Sequence, residues 1–115
     1  MKDYMGKLQL GDREIPFSFD LNVLETIQEK YGSLQEWSAK VEPEEGEADI
    51  GALLFGFTEM INEGIDIQND KNHTNDAFMT KKQVGRLLTE YGLEDASKKM
   101  KQVVIDSTKS DEKNI

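Results

Sequence analysis

Between Asp66 and Asn72, oxygen-bearing side chains recur at alternate positions (Asp66, Gln68, Asp70, Asn72), the spacing with which a calcium loop wraps its ion. The two most discriminating positions fail. Lys71 stands where the sharp turn needs glycine, and Ala77 stands where a bidentate glutamate would complete the shell. The single histidine, His73, lies in the same polar stretch without a nucleophile or a second imidazole in reach. A general base needs an orienting partner and a closed site, so His73 reads as a solvated loop residue. Glu25 and Glu29 share a helix face at i and i+4, but that face lies opposite the apolar stripe and is open to water, so no acid–base pair is expected there. No glycine-rich loop joins a strand to a helix to cradle phosphate. The absence of cysteine removes disulfides, thiolate chemistry and the commonest structural zinc ligands. Lys81, Lys82, Arg86, Lys98, Lys99 and Lys101 form a basic group interrupted by Glu90, Glu94 and Asp95. In a chain of net charge −9 it reads as a solvated face or a protein-docking patch rather than a nucleic-acid site. No catalytic residue, metal ligand or cofactor is therefore expected, and binding is favoured over chemistry.

Apolar surplus is the remaining resource. Five methionines (Met1, Met5, Met60, Met79, Met100), with Phe55 and Phe78, can line a surface that adapts to different apolar partners, because the thioether side chain is flexible and polarizable. The same side chains also suit a core. Phe55, Met60, Phe78, Met79 and Met100 are the candidate partner-binding residues. A second candidate is the acidic run Glu42, Glu44, Glu45, Glu47 and Asp49, a solvated linker or a docking site for a basic partner.

The elements that must position these groups follow from periodicity. Leu8, Leu10, Ile15, Phe17 and Phe19 alternate with polar residues around Gly11-Asp12, predicting a hairpin over residues 4–19. A turn at 11 and 12 sets Leu8 opposite Ile15, Gly6 opposite Phe17 and Tyr4 opposite Phe19, with Pro16 facing Lys7 at a non-hydrogen-bonded pair. The other face carries Lys7, Gln9, Glu14 and Ser18. Helices are predicted at about 20–31, 33–41, 49–64, 80–91 and 93–107. Asp20, Ser33, Asp49 and Thr80 serve as caps, and Gly32 and Gly92 as stops. The third helix is apolar over much of its circumference and should be central, with Gly51 and Gly56 allowing close packing and Gly64 marking a fraying end. Residues 66–76 read as a mobile loop.

One domain over residues 1–108 with a flexible tail at 109–115 is the natural reading of 115 residues, 32% charged and 37% hydrophobic. The fold class is α+β, mainly α: an N-terminal hairpin packed on about five helices. The acidity is uneven. The first 76 residues hold 6 basic and 17 acidic side chains, the rest 8 and 6. No stretch approaches a membrane span, and the opening residues lead into a strand rather than an apolar signal, so a soluble intracellular protein is expected.

The order of these segments resembles the tail assembly chaperones of tailed bacteriophages and prophages. The resemblance rests on residues 15–24 (Ile-Pro-Phe-Ser-Phe-Asp-Leu-Asn-Val-Leu) running into 29–34 (Glu-Lys-Tyr-Gly-Ser-Leu), then 53–57 (Leu-Leu-Phe-Gly-Phe), then 80–88 (Thr-Lys-Lys-Gln-Val-Gly-Arg-Leu-Leu). It implies a protein of the bacterial host cytoplasm, absent from the mature virion. Such a protein binds the tape measure protein, keeps its hydrophobic helices soluble and helps recruit tail tube subunits, with self-association also open to it. The resemblance carries no catalytic motif, and it leaves the acidic run and the Asn-rich stretch without roles. The rival expectation is an acidic inhibitor that mimics nucleic acid through Glu42 to Asp49 and blocks a host or competing-phage protein. Mimicry needs carboxylates held in a fixed array.

Overall fold

Gly11 enters the hairpin turn at φ +61° while Asp12 keeps a negative φ, the pairing that a two-residue turn with glycine first requires. That turn fixes the register of β1 (Met5–Leu10) on β2 (Arg13–Ser18): Leu8 faces Ile15, Lys7 faces Pro16 and Gly6 faces Phe17, as predicted. The Phe19 amide donates to the Tyr4 carbonyl at 2.7 Å, closing the ladder where the alternation placed it. The computed structural model describes residues 3–113, with side chains through Lys109, so Met1 and the last two residues of the expected tail lie outside the described residues. The element order is β1-β2-α1-α2-α3-α4-α5, an α+β fold that is mainly α.

Each of the four predicted caps is built by its own side chain. Asp20 caps α1 (Leu21–Tyr31), accepting from the Val23 amide. Ser33 caps α2 (Leu34–Val41), and Asp49 caps α3 (Ile50–Asn72), accepting from the Ala52 amide at 3.0 Å. Thr80 and Gln83 form a reciprocal capping box on α4 (Lys81–Tyr91), and α5 (Leu93–Lys113) follows Gly92.

Two strands cannot hold themselves in water, so the hairpin needs a helix beneath it. α3 supplies it, touching β2, α1, α2 and α4. Gly64 is the point of closest approach: a Cβ there would lie 2.8 Å from backbone atoms of Pro16 and Phe17, so it is a buried contact rather than a fraying end. Gly56 plays the matching role for α2, where the Trp37 ring occupies the space of its missing side chain and the indole N–H donates to the Ala52 carbonyl at 2.9 Å. Gly51, expected to pack likewise, is exposed and meets only the Asp49 side chain. Because β2 lies against α3, Pro16 and Ser18 are buried although Lys7, Gln9 and Glu14 on the same face of the hairpin stay in water.

Two boundaries differ from expectation. α3 continues to Asn72 and stops at His73, which takes φ +56°, so residues 66–72 are helix and not loop. Asn69, with its low helix propensity, is held from outside: its side chain accepts from the Asp76 amide and donates to the Asp76 carbonyl, both at 3.0 Å. Asn62 repeats this on Met79, donating to its carbonyl at 2.9 Å and accepting from its amide at 2.8 Å. Seven helical rises span about 10.5 Å, and three extended residues span about 10 Å, so the returning chain keeps step with α3. α5, likewise, is helical to Lys113 and includes residues 109–113 of the predicted tail.

Candidate functional site

The predicted partner-binding residues divide by burial. Met60 and Met100 are 0% and 3% exposed, members of the core rather than of a surface. They belong there because α3 is covered on several sides and Met100 turns inward from α5, so an unbranched side chain fills internal space. Phe55 is half-buried and already engaged, edge-on to Tyr31 at 5.6 Å between ring centroids, with the Lys30 ammonium 4.4 Å from its own centroid. Met79 is half-buried with its backbone held by Asn62. Phe78 alone of the five is openly exposed. Phe78 lines two clefts, and Phe55 lines neither of them. Of the acidic residues, Glu42 is tied to Lys101 at 2.7 Å, and the segment carrying Glu44, Glu45 and Glu47 in solvent is pinched at its base where the Asp49 amide donates to the Lys40 carbonyl.

What the fold does leave open is a groove between the first half of α3 and α4. It encloses about 850 Å³ and is floored by Leu53, Leu54 and Leu88. Ile50 and Leu93, the first residues of α3 and α5, flank it and remain 49% and 44% exposed. Gly85 leaves its α4 wall bare, since a Cβ there would meet only the Leu54 methyls, at 3.9 Å. Lys81, Lys82 and Arg86 line the α4 side.

No known protein family, curated protein or solved structure matches the chain.

A second cleft of about 460 Å³ lies between α2 and α5, with Trp37, Val41, Met100, Val104 and Ile105 among its walls. Its charged residues neutralise one another, Lys101 with Glu42 at 2.7 Å and Lys98 with Glu94 at 3.6 Å. One carboxyl elsewhere is strongly perturbed. Glu63 is pushed up to about 7, first by sharing a proton with Asp20, then by partial burial and by the charges of Asp20 and Asp66, against the opposing pull of the Asn22 amide at 2.8 Å. Asp20 is already the α1 cap, so this shared proton ties α3 to the start of α1. Among the described residues no cluster of three or more histidine, cysteine, aspartate or glutamate side chains could hold a metal ion, and no helix is long and apolar enough to cross a membrane.

Sequence reasoning did not single out the groove. Helical periodicity places Ile50 on the same stripe of α3 as Leu53 and Leu54 and gives Leu93 no role. The available signal was their position, an aliphatic residue opening a helix directly after Asp49 or Gly92, where the next turn cannot fold back to cover it.

Proposed function

We propose that this protein works by binding, as a tail assembly chaperone of a tailed phage or prophage that shelters amphipathic helices of the tape measure protein in the α3–α4 groove. The observation that carries the reading is the groove itself: aliphatic side chains left half in water around a glycine that no neighbour requires. Fully burying a leucine or isoleucine is worth about 1.5–3 kcal/mol, so covering two half-exposed ones contributes about 2 kcal/mol to a helix-in-groove contact. That is enough to discriminate a greasy client from bulk protein, and weak enough to release it during assembly. In this reading the protein acts in the host cytoplasm, helps bring tail tube subunits to the client and leaves before the virion is complete. The resemblance in residues 15–24, 29–34, 53–57 and 80–88 supplies the client's identity.

Co-expression with a phage tape measure protein tests the assignment. The client stays soluble with the wild-type chain and aggregates with Ile50→Asp/Leu93→Asp. Both positions open a helix, where an aspartate suits the macrodipole, so this variant keeps its fold. Equal solubility of the client with either chain, or with neither, refutes the reading. The mimicry alternative receives less support: of Glu42, Glu44, Glu45 and Glu47, only Glu42 has a cationic partner among the described residues, and an array that imitates phosphates must be fixed along its length.

A further inference from the structure

Lys7, Lys98 and Lys101 each sit within ion-pair distance of a glutamate, at 3.0, 3.6 and 2.7 Å. Lys81, Lys82 and Arg86 do not. Among the described residues no carboxylate comes within 4.0 Å of any of them, as is also true of Arg13, Lys30, Lys40, Lys71 and Lys99; what sets these three apart is that they line one groove whose lining includes no acidic side chain. All three line the α4 side of the groove, and Lys82 and Arg86 stand one turn apart on the same helix face. The positive end of the α4 macrodipole lies at Lys81 and adds to their field.

Resting on the groove reading above, we infer that the occupant is an amphipathic helix whose apolar face is bordered by carboxylates on the flank that meets α4. From Lys81 to Tyr91 α4 runs about 15 Å, just under three helical turns, and glutamates one turn apart on the occupant match Lys82 and Arg86. The overall negative charge of the chain does not forbid this. At physiological salt, fields fade over about 8 Å, so a docked helix responds to the cations beside it more than to the acids of remote loops. A nucleic-acid strand would also seek the cations, but the floor is aliphatic and offers no aromatic face on which bases could stack.

The test uses the full chain and fluorescence anisotropy with labelled synthetic peptides of about 14 residues, which share one leucine/isoleucine face and differ only in a flank of Glu, Gln or Lys. A single-stranded oligonucleotide forms a further arm. Three rim pairs together weigh about tenfold in affinity, so the Glu peptide binds about tenfold more tightly than the Lys peptide at about 0.1 M salt, and the gap closes at about 1 M. In K81E/K82E/R86E the order of preference reverses. The salt series on the wild-type chain supports or overturns the inference without relying on that variant. Equal binding of the Glu and Lys peptides, both lost in Ile50→Asp/Leu93→Asp, overturns the acidic flank and leaves the groove reading standing. Failure of every peptide to bind overturns both. An oligonucleotide that binds through these three residues while the peptides show no preference overturns it in favour of a nucleic-acid surface.

Discussion

Gly85 gives the most direct access to the groove. A glycine inside a helix costs about 0.8–1.0 kcal/mol relative to alanine, through backbone entropy and lost side-chain cover. At Gly56 and Gly64 the fold has a steric reason to accept that cost; at Gly85 a Cβ would meet only the Leu54 methyls at 3.9 Å, an ordinary contact. Gly85→Ala therefore raises stability by about 0.5–1 kcal/mol, which for a domain of this size moves Tm up by about 2–6 °C. Gly85→Leu keeps the helical gain but places a branched side chain in the open volume between α3 and α4. Client affinity then falls by about tenfold or more, the equivalent of about 1.4 kcal/mol, while Tm does not drop. Thermal unfolding followed by circular dichroism reads the first quantity, and anisotropy with an amphipathic peptide reads the second. A Tm lowered by Gly85→Ala would mean that a neighbour already fills that space, and undiminished binding by Gly85→Leu would mean that clients dock elsewhere.

Other perturbations probe the frame around the groove. Gly64→Ala forces a methyl against the β2 backbone, which cannot rotate away, and should cost at least about 2 kcal/mol in urea unfolding; a neutral result would contradict the direct packing of hairpin on helix. Asn62→Ala leaves the Met79 amide and carbonyl without their partner, for a loss of about 1–3 kcal/mol and faster proteolysis between residues 73 and 80. Glu63, at about 7 against an ordinary 4.5, holds a proton in the folded state that the unfolded chain has released, so its contribution is complete below pH 4.5 and is lost as pH rises through 7. Because the group is partly solvated, screening reduces the effect to about 1 kcal/mol. Urea midpoints across this window should fall with pH in the wild type and flatten in Glu63→Gln, and identical slopes would refute the shared proton.

The hairpin was legible because two local signals, the Gly11-Asp12 turn and the alternation of Leu8, Ile15, Phe17 and Phe19, admit one register only. The starts of α1 to α4 were legible for the same reason, since Asp20, Ser33, Asp49 and Thr80 each accept from the amide three residues away. The end of α3 was not. Its last turns are composed of residues that favour loops, and the contacts that make them helical reach from Asn62 and Asn69 to Met79 and Asp76, partners that no local pattern reveals. The candidate residues failed similarly: Met60 and Met100 have the chemistry of an adaptable surface, but that chemistry serves a core equally well. Which side of a central helix stays uncovered depends on where α2, α4 and the hairpin come to rest.

Three helix glycines allow that dependence to be argued from what fills each of them. Gly56 receives the Trp37 ring, Gly64 receives the β2 backbone, and Gly85 receives nothing beyond ordinary contact with Leu54. Beside that third glycine stand Ile50 and Leu93, each forgoing about 1 kcal/mol of burial, and three cations without carboxylates in reach among the described residues. Poor packing alone would account for a stray glycine or an exposed leucine. It gives no reason for three cations and no acid to line the same groove in an acidic chain, whereas a ligand helix that brings both an apolar face and carboxylates would answer to all three features at once.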